Sequence, residues 1–94
     1  MNKYQSVIIV NPNLTEEDLA KLTERFEKLI NSNGKVDKVE KLGMKKLAYP
    51  IKKATEAYYL TYQFEANPEF ITELERNYRI TDDVYKFLTI REED

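Results

Sequence analysis

The first third of the chain contains a short apolar run followed by a longer segment in which apolar residues recur at helical spacing. Tyr4 to Val10 is rich in β-branched residues and ends at the turn cluster Asn11-Pro12-Asn13, which predicts a strand in the interior of a sheet. A helix is expected to begin at Thr15 or Glu16 and to end at Asn33-Gly34, with Gly34 in the left-handed conformation. Apolar residues at spacings of three and four form one stripe along this helix: Leu19, Leu22, Phe26, Leu29 and Ile30.

The middle of the chain predicts a hairpin. From Lys35 the pattern is typical of a long, partly irregular strand, in which Gly43 marks a bulge and Pro50 limits hydrogen bonding near the end. A polar connection over residues 52–56 leads into residues 57–64, the strongest strand pattern in the chain. These two strands are expected to pair with each other.

A second helix and a last strand follow. Asn67 and Pro68 are typical of a helix cap and of proline at the first helical position, and the helix should end near Tyr78 or Arg79. Its expected buried face consists of Ile71, Leu74 and Tyr78. Residues 84–90 predict the last strand, and residues 91–94 a short charged tail.

The order of these elements is strand, helix, strand, strand, helix, strand. It predicts one α+β domain over residues 1–94 with a ferredoxin-like fold (βαββαβ), a four-stranded antiparallel sheet with two helices packed on one face. On the third strand the apolar set should point to the core: Tyr58, Leu60, Tyr62 and Phe64. Tyr59 and Thr61 would then lie on the open face, in a semi-apolar patch of the kind that partners cover.

Composition argues against an enzyme. The 94 residues include no cysteine, histidine or tryptophan, which excludes disulfides and thiolate nucleophiles and removes the commonest general base and metal ligand. No catalytic constellation, metal cluster or cofactor motif is recognisable, so no cofactor is expected. Only four consecutive apolar residues, Val7 to Val10, follow the polar start, too few for a signal peptide or a membrane span, and a soluble cytoplasmic protein is expected.

Charge is distributed very unevenly. Residues 1–34 carry four basic and five acidic side chains, residues 35–53 carry seven and two, and residues 54–94 carry four and ten. The middle segment can therefore present a positive surface although the net charge of the chain is -2. Exposed lysines that protect a sheet edge from aggregation explain the same block, and charge alone favours that interpretation.

Tyrosines interleaved with lysines suit RNA, because ammonium groups neutralise phosphates and phenol rings can stack on bases. The candidate RNA- or partner-binding set is Tyr4, Lys45, Lys46, Tyr49, Lys52 and Lys53, with Arg79, Lys86 and Arg91 contributing from the other end of the fold. Tyr49 and Tyr58 could instead be core tyrosines that send only a hydroxyl to water. The aromatic motif of the RNA-recognition module has no counterpart in this chain.

The stretch from Leu42 to Lys53, Leu-Gly-Met-Lys-Lys-Leu-Ala-Tyr-Pro-Ile-Lys-Lys, resembles the hallmark segment of the bacterial small-subunit ribosomal protein S6 family. Further matching positions run along nearly the whole chain: Tyr4, Asn11-Pro12-Asn13-Leu14, Gly34, Tyr58-Tyr59, Arg79-Ile80 and Asp83-Val84. Two departures concern local turns, because many members have tryptophan where Leu42 stands and glycine where Ala57 stands.

This resemblance implies a ferredoxin-like structural component of the small ribosomal subunit. It also implies binding to the central domain of small-subunit ribosomal RNA together with ribosomal protein S18. Carried over by position, Lys45, Lys46, Tyr49 and Lys52 would contribute to the RNA or partner surface, with Tyr4, Arg79 and Lys86 as further candidates.

Two other functions remain open on the sequence alone. One is a ferredoxin-like interaction or effector-binding domain that self-associates through its open sheet face. The other is a small phosphatase-like enzyme, since the fold can host one, but Asn11-Pro12-Asn13 lacks the glycine-rich, arginine-bearing character of a phosphate-binding loop. Self-association without RNA binding would indicate the first, and hydrolysis of acyl phosphates the second.

Overall fold

A computed structural model of the protein describes residues 1–92. Two helices and four strands follow in the predicted order: β1 (Asn2–Val10), α1 (Glu16–Asn33), β2 (Gly34–Ile51), β3 (Ala54–Ala66), α2 (Pro68–Ile80) and β4 (Val84–Glu92). Arg91 and Glu92, expected in a charged tail, belong to β4, and the rest of that predicted tail lies outside the described residues.

The four strands form one antiparallel sheet in the order β2-β3-β1-β4. β1 therefore lies in the sheet interior, as predicted, and both helices cover one face. The core between helices and sheet contains Tyr4, Ile8, Val10, Leu22, Phe26, Ile30, Leu60, Tyr62, Phe64, Ala66, Phe70, Leu74, Tyr78 and Val84. The predicted ferredoxin-like fold is confirmed, and so is the core side of β3.

The start of α1 follows the capping rule and its end does not. The Thr15 hydroxyl accepts a hydrogen bond from the Asp18 backbone amide at 3.1 Å and so satisfies a free amide of the first turn. The prediction of a left-handed Gly34 is wrong, because its φ of -175° is extended and the residue begins β2. A Cβ at Gly34 would collide with the backbone carbonyl oxygen of Glu65 on β3. Glycine is required here by close approach of two strands, not by a helix cap.

The β2–β3 hairpin is long and irregular. Its register shifts at Gly43, whose φ of +84° lies in the left-handed region, so the predicted bulge is confirmed. The predicted connection over residues 52–56 is too long, because only Lys52 and Lys53 form the turn and β3 begins at Ala54. Both turn lysines have positive φ, 48° and 67°, the arrangement of a two-residue type I′ hairpin turn.

α2 begins with Pro68 after Asn67, whose side chain makes no capping hydrogen bond. The Phe70 amide of the first turn instead donates a 3.0 Å hydrogen bond to the Asn67 backbone carbonyl, and Pro68 has no amide hydrogen that needs a partner. The buried residues of α2 include Phe70 in addition to the predicted Leu74 and Tyr78, while Ile71 is only partly buried against the core.

Two buried phenols lie at the centre of the core. The Tyr62 hydroxyl donates a 2.9 Å hydrogen bond to the Thr23 carbonyl, whereas the Tyr78 hydroxyl has no hydrogen-bond partner among residues 1–92. The Ser6 hydroxyl forms its hydrogen bond with that of Thr89, at 2.8 Å, and none with Tyr78. Burial raises the pKa of Tyr62 and of Tyr78 well above that of a free phenol.

Candidate nucleic-acid interface

The face of the sheet opposite the helices is built from directly paired residues on neighbouring strands. Tyr59 on β3 pairs with Ile9 on β1, and Ile9 pairs with Lys86 on β4, so these three side chains form one row across the sheet. Paired residues in an antiparallel sheet point to the same side. This register places Tyr59 on the open face, as the alternation along β3 predicted.

Two lysines of the hairpin lie close to tyrosine rings, one on β3 and one on β4. The Lys45 Nζ lies 5.7 Å from the centroid of the Tyr59 ring, and the Lys52 Nζ lies 5.0 Å from that of Tyr85 at the start of β4. An ammonium group at these distances is attracted by the electron-rich face of the ring. The second contact brings the hairpin turn close to the start of β4, where Lys86 is also exposed.

Tyr49 is the most exposed aromatic residue of the hairpin, with 81% of its surface accessible. The register explains this position. Lys46 pairs with Glu56 and Ile51 pairs with Ala54, so the four intervening residues of β2 face a single residue of β3. Such a bulge displaces the extra residues from the ladder and redirects their side chains. Tyr49 is therefore not a core tyrosine.

Positive charge is concentrated on the same part of the hairpin. Residues 41–55 contain five lysines and no carboxylate. The ion pairs found among residues 1–92 involve Lys21, Lys28 and Lys38, all outside this stretch. Lys45, Lys46, Lys52 and Lys53 are all exposed, so their ammonium groups are available to external phosphates.

Three residues of the predicted set lie elsewhere. Tyr4 does not contribute its ring to any surface, because the ring is 7% exposed and stacks on Phe64 in the core, with centroids 5.7 Å apart. Arg79 ends α2 on the helical side and lies 5.8 Å from the Phe87 ring. Arg91 is paired with Tyr4 near the far end of β4, where it donates a 3.3 Å hydrogen bond to the Asn2 side chain.

The structure thus divides the predicted surface. Lys45, Lys46, Tyr49, Lys52 and Lys53 share the β2–β3 hairpin, and Lys86 lies beside its turn; we call these six residues the hairpin surface. Tyr4 is separated from these residues because its ring points to the core, and Arg79 and Arg91 lie away from the hairpin, as their assignment to the other end of the fold implied.

The semi-apolar patch expected on the open face extends onto β4 through two residues that the sequence interpretation did not name. Leu88 and Ile90 of β4 remain 61% and 47% exposed, and they pair with Val7 and Gln5 of β1. The available signal was that β4 carries apolar residues at successive positions, Phe87 and Leu88, and so on both of its faces.

Other kinds of site find no support in the described structure. Residues 1–92 contain no group of three or more side chains suited to hold a metal ion. Neither α1 nor α2, the helices of this part of the chain, is long and apolar enough to cross a membrane.

Comparison with known proteins identifies close relatives of the whole chain. The family model described as Ribosomal protein S6 matches residues 3–91. The small ribosomal subunit protein bS6 of Caldanaerobacter subterraneus subsp. tengcongensis is 42% identical over all of both chains, and that of Clostridium novyi is 44% identical over 99% of each. The crystal structure of 30S ribosomal protein S6 from Thermotoga maritima superposes with a TM-score of 0.91 at 40% identity, covering 97% of this chain and 87% of the other.

Proposed function

The chain belongs to the ribosomal protein S6 family, and from this premise we propose that it binds the central domain of small-subunit ribosomal RNA together with ribosomal protein S18. Membership makes the protein a structural, non-enzymatic component of the small ribosomal subunit. Our proposal adds three points to this membership: the RNA domain that is bound, the protein partner, and a location on cytoplasmic ribosomes.

The observation that carries the proposal is the hairpin surface. It holds five exposed lysines, and no carboxylate occurs between residues 41 and 55. Phosphate contacts dominate the affinity of most protein–RNA complexes, and lysine supplies them as a mobile point charge. Because β2 is an edge strand, some of these lysines also protect the sheet edge from pairing with other chains.

A net charge of -2 is compatible with this function when the protein docks beside a partner. A second protein that is itself basic can supply part of the phosphate neutralisation, and joint docking raises the effective concentration of each component. The affinity of the isolated chain for RNA should therefore be weak, and the affinity in the presence of S18 much higher.

The proposal is tested by binding of the purified protein to a central-domain ribosomal RNA fragment, with and without S18, over a series of salt concentrations. Tight, salt-sensitive binding that requires S18 is the expected result. Absence of RNA binding in both conditions would refute the proposal.

Charge reversal locates the contact. Lys45→Glu combined with Lys46→Glu should weaken the complex and reduce its salt slope, by about 0.7 to 0.9 for each phosphate contact that is lost. The matched control is Lys21→Glu with Lys28→Glu, which makes the same charge change on α1. An unchanged slope for the hairpin variant would remove these two lysines from the RNA surface.

Self-association through the open sheet face is the second candidate, and the exposed Leu88 and Ile90 favour it. Apolar side chains exposed side by side on a sheet are typical of surfaces that a partner covers. Sedimentation equilibrium of the free protein distinguishes the two functions, since a stable dimer that excludes RNA would support this candidate.

A further inference from the structure

Tyr49 is exposed at a position where packing gives no reason for an aromatic residue. Its ring is 81% accessible, and the register of the hairpin displaces it from the β2–β3 ladder. A tyrosine buries a large apolar area when it contributes to a core, and this ring contributes almost none.

The backbone at Tyr49 is stiff. Pro50 follows it, and the residue before a proline is restricted to extended conformations. Proline itself has a fixed φ. A ring carried on such a segment loses little conformational freedom when it is covered by a ligand, which favours binding.

The surroundings of the ring indicate what covers it. We call residues 46–56, which include the turn, the hairpin tip. Its exposed charged residues are Lys46, Lys52, Lys53 and a single carboxylate, Glu56, which pairs with Lys46 in the ladder. Tyrosine is enriched both in protein interfaces and in RNA-binding surfaces, but lysine is depleted in protein interfaces. Residues 45–56 contain four lysines and one carboxylate, an excess of positive charge that matches a phosphate backbone.

Strain in the turn points in the same direction. Lys52 and Lys53 occupy left-handed backbone conformations, with φ of 48° and 67°, where glycine and asparagine are the preferred residues. Lysine at both positions therefore costs stability without improving the packing of the core. Side chains held in such conformations are a common feature of binding sites.

We propose that Tyr49 stacks on an unpaired base of ribosomal RNA while Lys46, Lys52 and Lys53 contact the phosphates beside it. The inference rests on the proposed function and assigns the hairpin tip to RNA. The base must be unpaired, because the faces of bases inside a duplex are already stacked and only loops, bulges and ends leave them free.

Two variants at one position separate stacking from charge. Tyr49→Leu removes the aromatic ring, and Tyr49→Phe retains it. Leucine should weaken binding to the central-domain RNA fragment in the presence of S18 by about 5-fold to 100-fold, since stacking on an aromatic side chain has this magnitude. Phenylalanine should bind nearly as well as tyrosine. The salt slope should be the same for all three proteins, whereas Lys52→Ala should lower it by about 0.7 to 0.9.

Controls exclude a folding defect and a protein contact. Ile80→Ala removes another exposed apolar side chain, on α2, and should leave RNA affinity unchanged. Urea denaturation should give the same midpoint for Tyr49→Leu as for the natural protein, because the exposed ring contributes little to the packing of the core. The affinity of each variant for S18 alone is measured by calorimetry.

Different outcomes would refute the proposed function and the stacking of Tyr49 on a base. If the natural protein binds no RNA with or without S18, the proposed function itself fails. If it binds, but Tyr49→Leu binds equally well, only the stacking inference is overturned. It is also overturned if leucine weakens S18 binding in the absence of RNA, because the hairpin tip would then be a protein contact.

Discussion

Replacing Lys53 by glycine should stabilise the fold and weaken RNA binding at the same time. Lys53 is the second residue of the hairpin turn, with φ of 67°, and a side chain in the left-handed region costs about 1 to 2 kcal/mol relative to glycine. Glycine gives back about 0.5 to 1 kcal/mol, because it makes the unfolded chain more flexible. The midpoints of these two ranges leave a net gain of about 0.75 kcal/mol, which for a domain of this size raises Tm by about 3 to 6 °C.

The matched control is Lys53→Ala, which removes the same charge but keeps a Cβ in the left-handed conformation. Alanine should leave Tm near that of the natural protein, whereas both variants should lose the same RNA affinity and the same part of the salt slope, about 0.7 to 0.9. Thermal unfolding followed by circular dichroism measures the first effect, and the RNA titration with S18 measures the second. Equal Tm values for the glycine and alanine variants would refute the argument from backbone conformation.

Three further results are expected from the packing of the core and the sheet. Tyr78→Phe should be neutral or stabilising in urea denaturation, because it removes an unpaired buried hydroxyl. Tyr62→Phe should lower the free energy of unfolding by about 0.5 to 1.5 kcal/mol, because it loses the hydrogen bond to the Thr23 carbonyl. The reverse order of stability would contradict the hydrogen-bond assignment. Gly34→Ala should lower the free energy of unfolding, again measured in urea, by about 1 to 3 kcal/mol or more, since the added Cβ meets the backbone of β3. Unchanged stability would show that the two strands can separate to make room for it. Alkaline pH should destabilise the protein, because burial raises the folded-state pKa of Tyr62 and Tyr78. The contribution of the two phenols to the free energy of unfolding is complete below the unfolded-state pKa of about 10 and declines above it by about 1.4 kcal/mol per pH unit for each phenol. A double phenylalanine variant with the same pH dependence of stability would exclude this cause.

The fold could be predicted from the sequence because local signals and hydrophobic period agree in every element. Thr15 caps α1 as its position suggests, and the alternation along β3 assigns Tyr62 to the core and Tyr59 to the open face. Gly34 shows the limit of this reasoning. A glycine after a helix predicts a left-handed cap, but here the demand comes from β3, and contact between distant strands leaves no local signal in the sequence.

The site was predicted less well than the fold. The lysines and Tyr49 of the hairpin could be proposed as one set because they lie within residues 45–53, where every charged side chain is basic. Tyr4 was misassigned because the alternation along β1 gives two faces but does not say which one the helices cover. The contacts of Lys52 with Tyr85 and of Lys45 with Tyr59 depend on strand order and on hairpin curvature, which no short stretch of sequence encodes.

The strand order has a consequence for protein synthesis. β1 precedes the other three strands of the sheet in the sequence, and one of its two neighbours, β4, follows all of them. The hydrogen bond between Ser6 and Thr89 joins the two strands across 83 positions. Until β4 has been translated, one edge of β1 has no partner, and an unpaired edge can recruit strands from other chains. The sheet of the nascent chain therefore stays incomplete until β4 has been translated, and a chain that stalls before β4 leaves an aggregation-prone edge open.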